Sequence, residues 1–215
     1  MGNFGWGEFT FLLGGLKWTI LLALVGFAGG SVFGLVVALA RTSPSGLLRK
    51  LTAAYISLFQ GTPLLMQLFV VYYGLALMAV NIDPWVAVAV AFTLNASAFL
   101  GEIWRGAIQA VPRGQTEAAD ALSLHYLTRM RHVVLPQALR ISLPATVGFM
   151  VQLIKGTSLA AIIGFAELTR AGQIISNQIF QPQLIFGLIG LMYFCLCWPL
   201  SLYGSRLERR FAAAH

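Results

Sequence analysis

The chain has 215 residues, of which 58% are hydrophobic and only 10% charged, and its net charge is +7. Soluble domains carry about 25% charge to wet their surfaces, so this composition excludes an ordinary soluble fold. The cations lie between long apolar runs instead of on one polar face, which excludes a nucleic-acid-binding domain.

Residues 1–15 form a short lead whose aromatic residues, Phe4, Trp6, Phe9 and Phe11, suit a membrane interface. Crossing a bilayer takes about 20 apolar residues, and the uncharged run Thr19–Ala40 is the first candidate. It reads as a span and not as a cleaved signal peptide, because Glu8 precedes any side-chain cation and Arg41 stops the run. Gly26, Gly30 and Gly34 fall on one face of that helix, where a neighbouring backbone approaches closely, within the subunit or in a helix dimer. Thr42-Ser43-Pro44-Ser45-Gly46 is a turn, and Leu47–Phe59 reads as an interfacial segment. Gly61-Thr62-Pro63 interrupts a stretch too long for one straight crossing, so a kink or fresh helix start is expected there. Span two then runs from Pro63 to Val80, and Asn81-Ile82-Asp83-Pro84 turns the chain into span three, which reaches Gly101.

Residues 102–140 form the largest polar block. Thr116 is expected to cap a helix over Glu117-Ala118-Ala119-Asp120-Ala121-Leu122, with its acids in the first turn. Ser123 changes the register, and a second short helix over His125–Leu135 is expected to end at Pro136. Two short helices meeting at a small residue make a compact knob, narrowed by its alanines. Span four covers Ile141–Ile154 and continues past Lys155 through Gly156–Ala166, and span five lies within Ala171–Ser205. Cys195 and Cys197 have no His or Cys cluster beside them, so neither metal nor redox chemistry is indicated.

The expected fold is therefore all-α and polytopic, with five transmembrane helices. Arg41, Arg49, Lys50, Arg105, Arg113, Arg129, Arg131, Arg140, Arg206, Arg209 and Arg210 fall on one side of this layout, and only Lys17 and Arg170 on the other. Cations stay on the cytoplasmic side, so the N-terminus is expected outside and the C-terminus inside.

Five short motifs in order carry a resemblance. They are Gly61-Thr62-Pro63-Leu64-Leu65 with Gln67-Leu68-Phe69; Leu94–Glu102 with Trp104-Arg105-Gly106-Ala107-Ile108; Pro112-Arg113-Gly114-Gln115 with Glu117-Ala118-Ala119; Val134-Leu135-Pro136-Gln137-Ala138; and Lys155 with Thr157-Ser158-Leu159-Ala160 and Glu167-Leu168. Together they resemble the polar amino-acid permeases of ABC importers, of the His/Gln/Arg/Glu type. The resemblance implies a type I ABC importer transmembrane domain over 16–207, a cytoplasmic EAA loop over about 106–140 and a cytoplasmic tail over 208–215. Three places depart from that pattern. Ser123 stands for the usual glycine, Ser57 and Gln60 for a frequent Glu and Arg, and Gly156 for a frequent Asn.

The function implied is that of a permease subunit in the bacterial inner membrane, importing polar amino acids with an external solute-binding protein, a second permease subunit and a pair of ATPase subunits. The sequence has no G-x-x-x-x-G-K-[ST] phosphate loop, so the chain is not expected to be an enzyme or to hold a cofactor, ATP being bound by the partner. The residues expected to couple to the ATPase are Glu117, Ala118, Ala119, Ala121, Ser123, Leu135 and Pro136. Glu117 has a second reading, as a helix charge worth about 0.3–1 kcal/mol. Gln152, Lys155, Thr157 and Ser158 are the candidates for the translocation pathway. A charge at the depth of Lys155 costs about 2.5–3.5 kcal/mol, so it faces protein or water, as a pathway residue or as a cation paired in the bundle. The rival readings are a component of an ion-gradient transporter and a non-transporting membrane scaffold. The first calls for acids or paired half-helices at the membrane midplane.

Overall fold

The first helix, α1 (Trp6–Thr42), starts well before the first span expected from the sequence. Nothing between Trp6 and Thr42 breaks a helix, and Glu8 Oε2 accepts the Gly5 N–H at 2.9 Å, closing the first turn. The aromatic lead is therefore helical from Trp6. These positions come from a computed structural model, which describes residues 4–212, so the outermost parts of the lead (1–3) and of the tail (213–215) lie outside the described residues.

A hairpin turn at Ser43-Pro44 leads to α2 (Gly46–Gln60), which buries only Ile56. The next helix, α3 (Leu64–Leu77), starts after Pro63 and is bent by 101° from α2. The interruption expected at Gly61-Thr62-Pro63 is thus a sharp corner. Asp83 Oδ1 accepts the Trp85 N–H at 2.8 Å and Pro84 opens α4 (Pro84–Ala110), the favoured arrangement of a cap followed by proline.

The glycine face of α1 meets α4. A Cβ placed at Gly26 would come within 2.9 Å of Phe92 Cβ, and those at Gly30 and Gly34 would press on Ala96 and Leu100. The paired numbers rise together, so α1 and α4 run parallel, in contact along most of their length. Of the two readings of these glycines, the described contacts are those of packing inside the subunit. Phe92, Leu22, Leu68 and Leu100 are fully buried at this junction.

The helix α5 (Arg113–Ala121) begins after Pro112, not at Thr116, so Glu117 lies in its middle and not in its first turn. Proline is the stronger start signal because it cannot continue a preceding helix. The chain then enters α6 (Tyr126–Ile163), which is continuous where a stop at Pro136 was expected. A wide turn at Met130–Val134, closed by Leu135 N–H to Met130 O, shifts the hydrogen-bond register just before the proline. Pro136 enters as though at the first turn of a new helix, where its missing N–H costs nothing. At its far end α6 tightens to a 3₁₀ turn over Thr157–Ile163 and stops at Gly164, whose φ is +86°.

The last apolar stretch is not one helix. A separate α7 (Leu168–Ile179) ends at Phe180 with φ +57°, and α8 (Pro182–Ala212) follows. Span five, expected within Ala171–Ser205, accordingly starts at Pro182. Gln181-Pro182 carries no charge to mark the break, and hydropathy alone passes over it. Among the described residues, α1, α4, α6 and α8 are long and apolar enough to cross a membrane, and the bent pair α2–α3 makes up to a fifth span.

Candidate functional site

The corner between α2 and α3 strips backbone groups of their helical partners at the edge of an apolar bundle, where they need other partners. The side chain of Gln67 meets that need. Its Nε2 donates to Phe59 O at 2.7 Å, to Thr62 O at 3.0 Å and to Thr62 Oγ1 at 3.0 Å. Its Oε1 accepts from Asn95 Nδ2 of α4 at 3.0 Å. Gln67 and Asn95 are buried, so an amide pair ties the corner to the α1–α4 core. Beside it lies a cavity of about 200 Å³ lined by Thr62, Leu64, Asn95, Phe99, Phe149, Gln152 and Leu153.

The four residues expected along the pathway divide. Gln152 reaches that cavity and is exposed, and Lys155, one turn further along α6, is exposed too. Gly156 lies against Leu64 and Phe92, so Lys155 stands level with the start of α3. Ser158 is half-buried and donates to Lys155 O at 2.8 Å. Thr157 points the other way: it is fully buried and donates to Ile154 O at 2.7 Å. The structure therefore gathers Gln152, Lys155 and the Thr62–Gln67–Asn95 corner, and leaves Thr157 as a packing residue in the tightening turn.

The second region is the α5–α6 knob. Ser123 turns the chain with φ +54°, where a non-glycine residue carries strain, and its N–H donates to Asp120 O at 2.8 Å. Leu124 N–H donates to Ala119 O at 3.0 Å, and Arg129 pairs with Asp120 across the turn. Ala119 is buried, and Ala107, Val111, Val134 and Ala138 form a small core between the end of α4 and α6. Glu117, Ala118, Ala121 and Ser123 are exposed. Leu135 and Pro136 do not join them; they line a groove between α1, α4 and α6.

Sequence reasoning passed over two features. Leu122 and Leu127 are 75% and 69% exposed on the knob, an apolar surface whose only sequence signal is leucine inside a polar block. Glu167, named from the sequence only as part of a motif, is fully buried at the start of α7. Its Oε1 accepts from Arg170 N at 2.9 Å, and its Oε2 from Thr169 N and Tyr193 Oη, both at 2.9 Å. Thr19 Oγ1 donates to the same Oε2 at 3.4 Å and accepts from Leu168 N at 3.2 Å. A capping acid thus ties α1, α7 and α8 together.

Comparison with known proteins agrees with this architecture. The profile of the family described as binding-protein-dependent transport system inner membrane component matches residues 30–213. The chain is 38% identical over 200 residues to the L-cystine transport system permease protein TcyB of Bacillus subtilis, covering 93% of this chain and 86% of the relative. It is 37% identical over 208 residues to the glutamine transport system permease protein GlnP of Escherichia coli, covering 95% and 94%. In structure it is similar to a chain in the crystal structure of an amino acid ABC transporter with histidines, with a TM-score of 0.88 and 34% identity over 94% of each chain.

Proposed function

Because the chain belongs to the family of binding-protein-dependent transport system inner membrane components, we propose that it is a permease subunit of an ATP-driven importer of polar amino acids. It forms part of the translocation path and receives force from a separate ATPase. The observation that carries this reading is the pairing of a mid-bundle polar corner with an exposed knob that holds Glu117-Ala118-Ala119, in a chain whose relatives are amino-acid permeases.

The proposed arrangement has the N-terminus outside, the C-terminus inside, and the chain in the inner membrane as a transmembrane domain over 16–207. An asymmetric distribution of cations supports that orientation. At the knob, Glu117, Ala118, Ala121 and Ser123 meet the ATPase together with Leu122 and Leu127, while buried Ala119 sets the spacing beneath them. Leu135 and Pro136 support the knob from α6. ATP, bound by the ATPase pair, favours one arrangement of the spans over the other, and that difference in affinity drives the cycle.

In the pathway, the substrate's polar groups meet Gln152 and the amides of Gln67 and Asn95, and Lys155 faces water or a second permease subunit. An exposed lysine inside an apolar span is too costly to leave against lipid, which supports that placement. Ser158 lies beside it at the rim. A solute-binding protein delivers the amino acid from outside.

The test is uptake of radiolabelled amino acids into proteoliposomes holding the permease complex, its ATPase and the binding protein. Uptake is expected only with ATP inside and binding protein outside. Uptake that follows an imposed ion gradient without ATP would overturn the reading.

A further inference from the structure

We infer that the polar corner selects amino acids whose side chains are uncharged and carry a hydrogen-bond donor, a carboxamide above all, over basic and acidic ones. The inference rests on the importer reading given above. The cavity beside the corner encloses about 200 cubic ångströms. Pockets for drug-sized ligands hold about 300–1,000 cubic ångströms, so this one suits a single amino acid.

The hydrogen bonds at the corner fix which atom of Asn95 is left over. Phe59 O and Thr62 O are carbonyls and only accept, so the Gln67 nitrogen must face them. The Gln67 oxygen therefore meets Asn95, and Asn95 must present its nitrogen there. Asn95 lines the cavity and is only 6% exposed, yet its Oδ1 accepts no hydrogen bond among the described residues. A ligand N–H or O–H supplies the donor that this oxygen lacks. A side-chain carboxylate would instead set a second acceptor against it.

Charge decides against the basic side chains, which also donate. Lys155 is exposed one turn, about 5 Å, beyond Gln152 along α6 and makes no ion pair among the described residues. None of the chain's seven acids lines the cavity. Glu8 and Asp83 cap α1 and α4, and Glu102 and Asp120 pair with arginines. Glu117 lies on the knob and Glu208 near the end of α8. Glu167 is fully buried and committed to Thr169, Arg170 and Tyr193. Lys155 thus attracts the α-carboxylate of any amino acid, and nothing offsets its repulsion of a second positive group.

The test is calorimetric titration of the intact permease–ATPase complex in nanodiscs with L-glutamine, L-methionine, L-arginine and L-glutamate. The solute-binding protein is left out, because its own selectivity would otherwise set the outcome. Glutamine should bind about tenfold more tightly than methionine, which has similar length but no donor. Arginine and glutamate should bind no better than methionine. Gln152→Glu, which puts a carboxylate in the cavity wall, should raise the affinity for arginine about tenfold and lower that for glutamate. Lys155→Gln should weaken glutamine and methionine alike, since both offer the same α-carboxylate. Methionine, arginine or glutamate binding as tightly as glutamine would overturn the inference. So would an unchanged arginine affinity in Gln152→Glu, or no binding of any of the four. ATP-driven uptake of arginine by proteoliposomes would leave the importer reading standing while this one failed.

Discussion

Gln67 and Glu167 show how single side chains make irregular backbone tolerable in an apolar bundle. Each replaces hydrogen-bond partners that a broken helix has lost: Gln67 at the α2–α3 corner, Glu167 at the start of α7. Replacing Gln67 with Leu, a residue of similar size, leaves carbonyls at the corner unmet, each at about 1–3 kcal/mol. The expected result is a lower unfolding temperature in detergent for Gln67→Leu, and for Gln67→Glu as well, because a carboxylate has no N–H to donate to Phe59 O and Thr62 O. Gly30 provides a second check at this scale. Gly30→Ala should destabilise by about 1–3 kcal/mol through overpacking, and Ala96→Gly in the same chain should recover part of that loss. If the two changes merely add, α1 and α4 do not meet at that point.

At the scale of elements, the α5–α6 knob is a small unit held by a strained turn and an ion pair. Ser123 holds a left-handed conformation that glycine adopts freely. Ser123→Gly should relieve up to about 1 kcal/mol of strain, offset in part by the greater freedom of glycine in the unfolded chain. Hydrogen exchange at the Leu124 amide, which closes onto Ala119 O, is the direct measure and should slow. The Asp120–Arg129 pair is partly exposed, so removing it as Asp120→Ala should change global stability little. What it should alter is the angle between α5 and α6, read as weaker coupling of ATP hydrolysis to transport. Unchanged coupling would show that the turn and its small core hold the knob without the pair.

For the whole molecule, the predictions concern force and orientation. Glu117→Lys should insert normally and retain its unfolding temperature, because Glu117 is exposed, but should lose ATP-driven uptake. A loss of uptake that tracks a loss of folded protein would count against a coupling role. Single cysteines placed at Gly114 and at Gln178, with Cys195 and Cys197 replaced, should label from opposite sides of the membrane. An impermeant reagent in intact cells should reach the second and not the first, as the proposed orientation requires.

Much of this architecture was legible from residue patterns alone. Apolar run lengths located the spans, Gly61-Thr62-Pro63 announced the corner, and Glu117-Ala118-Ala119 with Leu135-Pro136 carried the resemblance. These signals are local: a span must be apolar over its own length, and at Gly61-Thr62-Pro63 a glycine and a proline together interrupt the helix. Three matters waited for the tertiary structure. The continuation of α6 through Pro136 depends on a shift of register one turn earlier. The separation of α7 from α8 depends on backbone angles at an uncharged Phe180-Gln181-Pro182. The meeting of Gln67 with Asn95, and of Glu167 with Thr19 and Tyr193, joins residues far apart in the chain. Periodicity and composition describe what one segment needs from its surroundings, whereas a buried hydrogen bond depends on which other segment arrives to supply it.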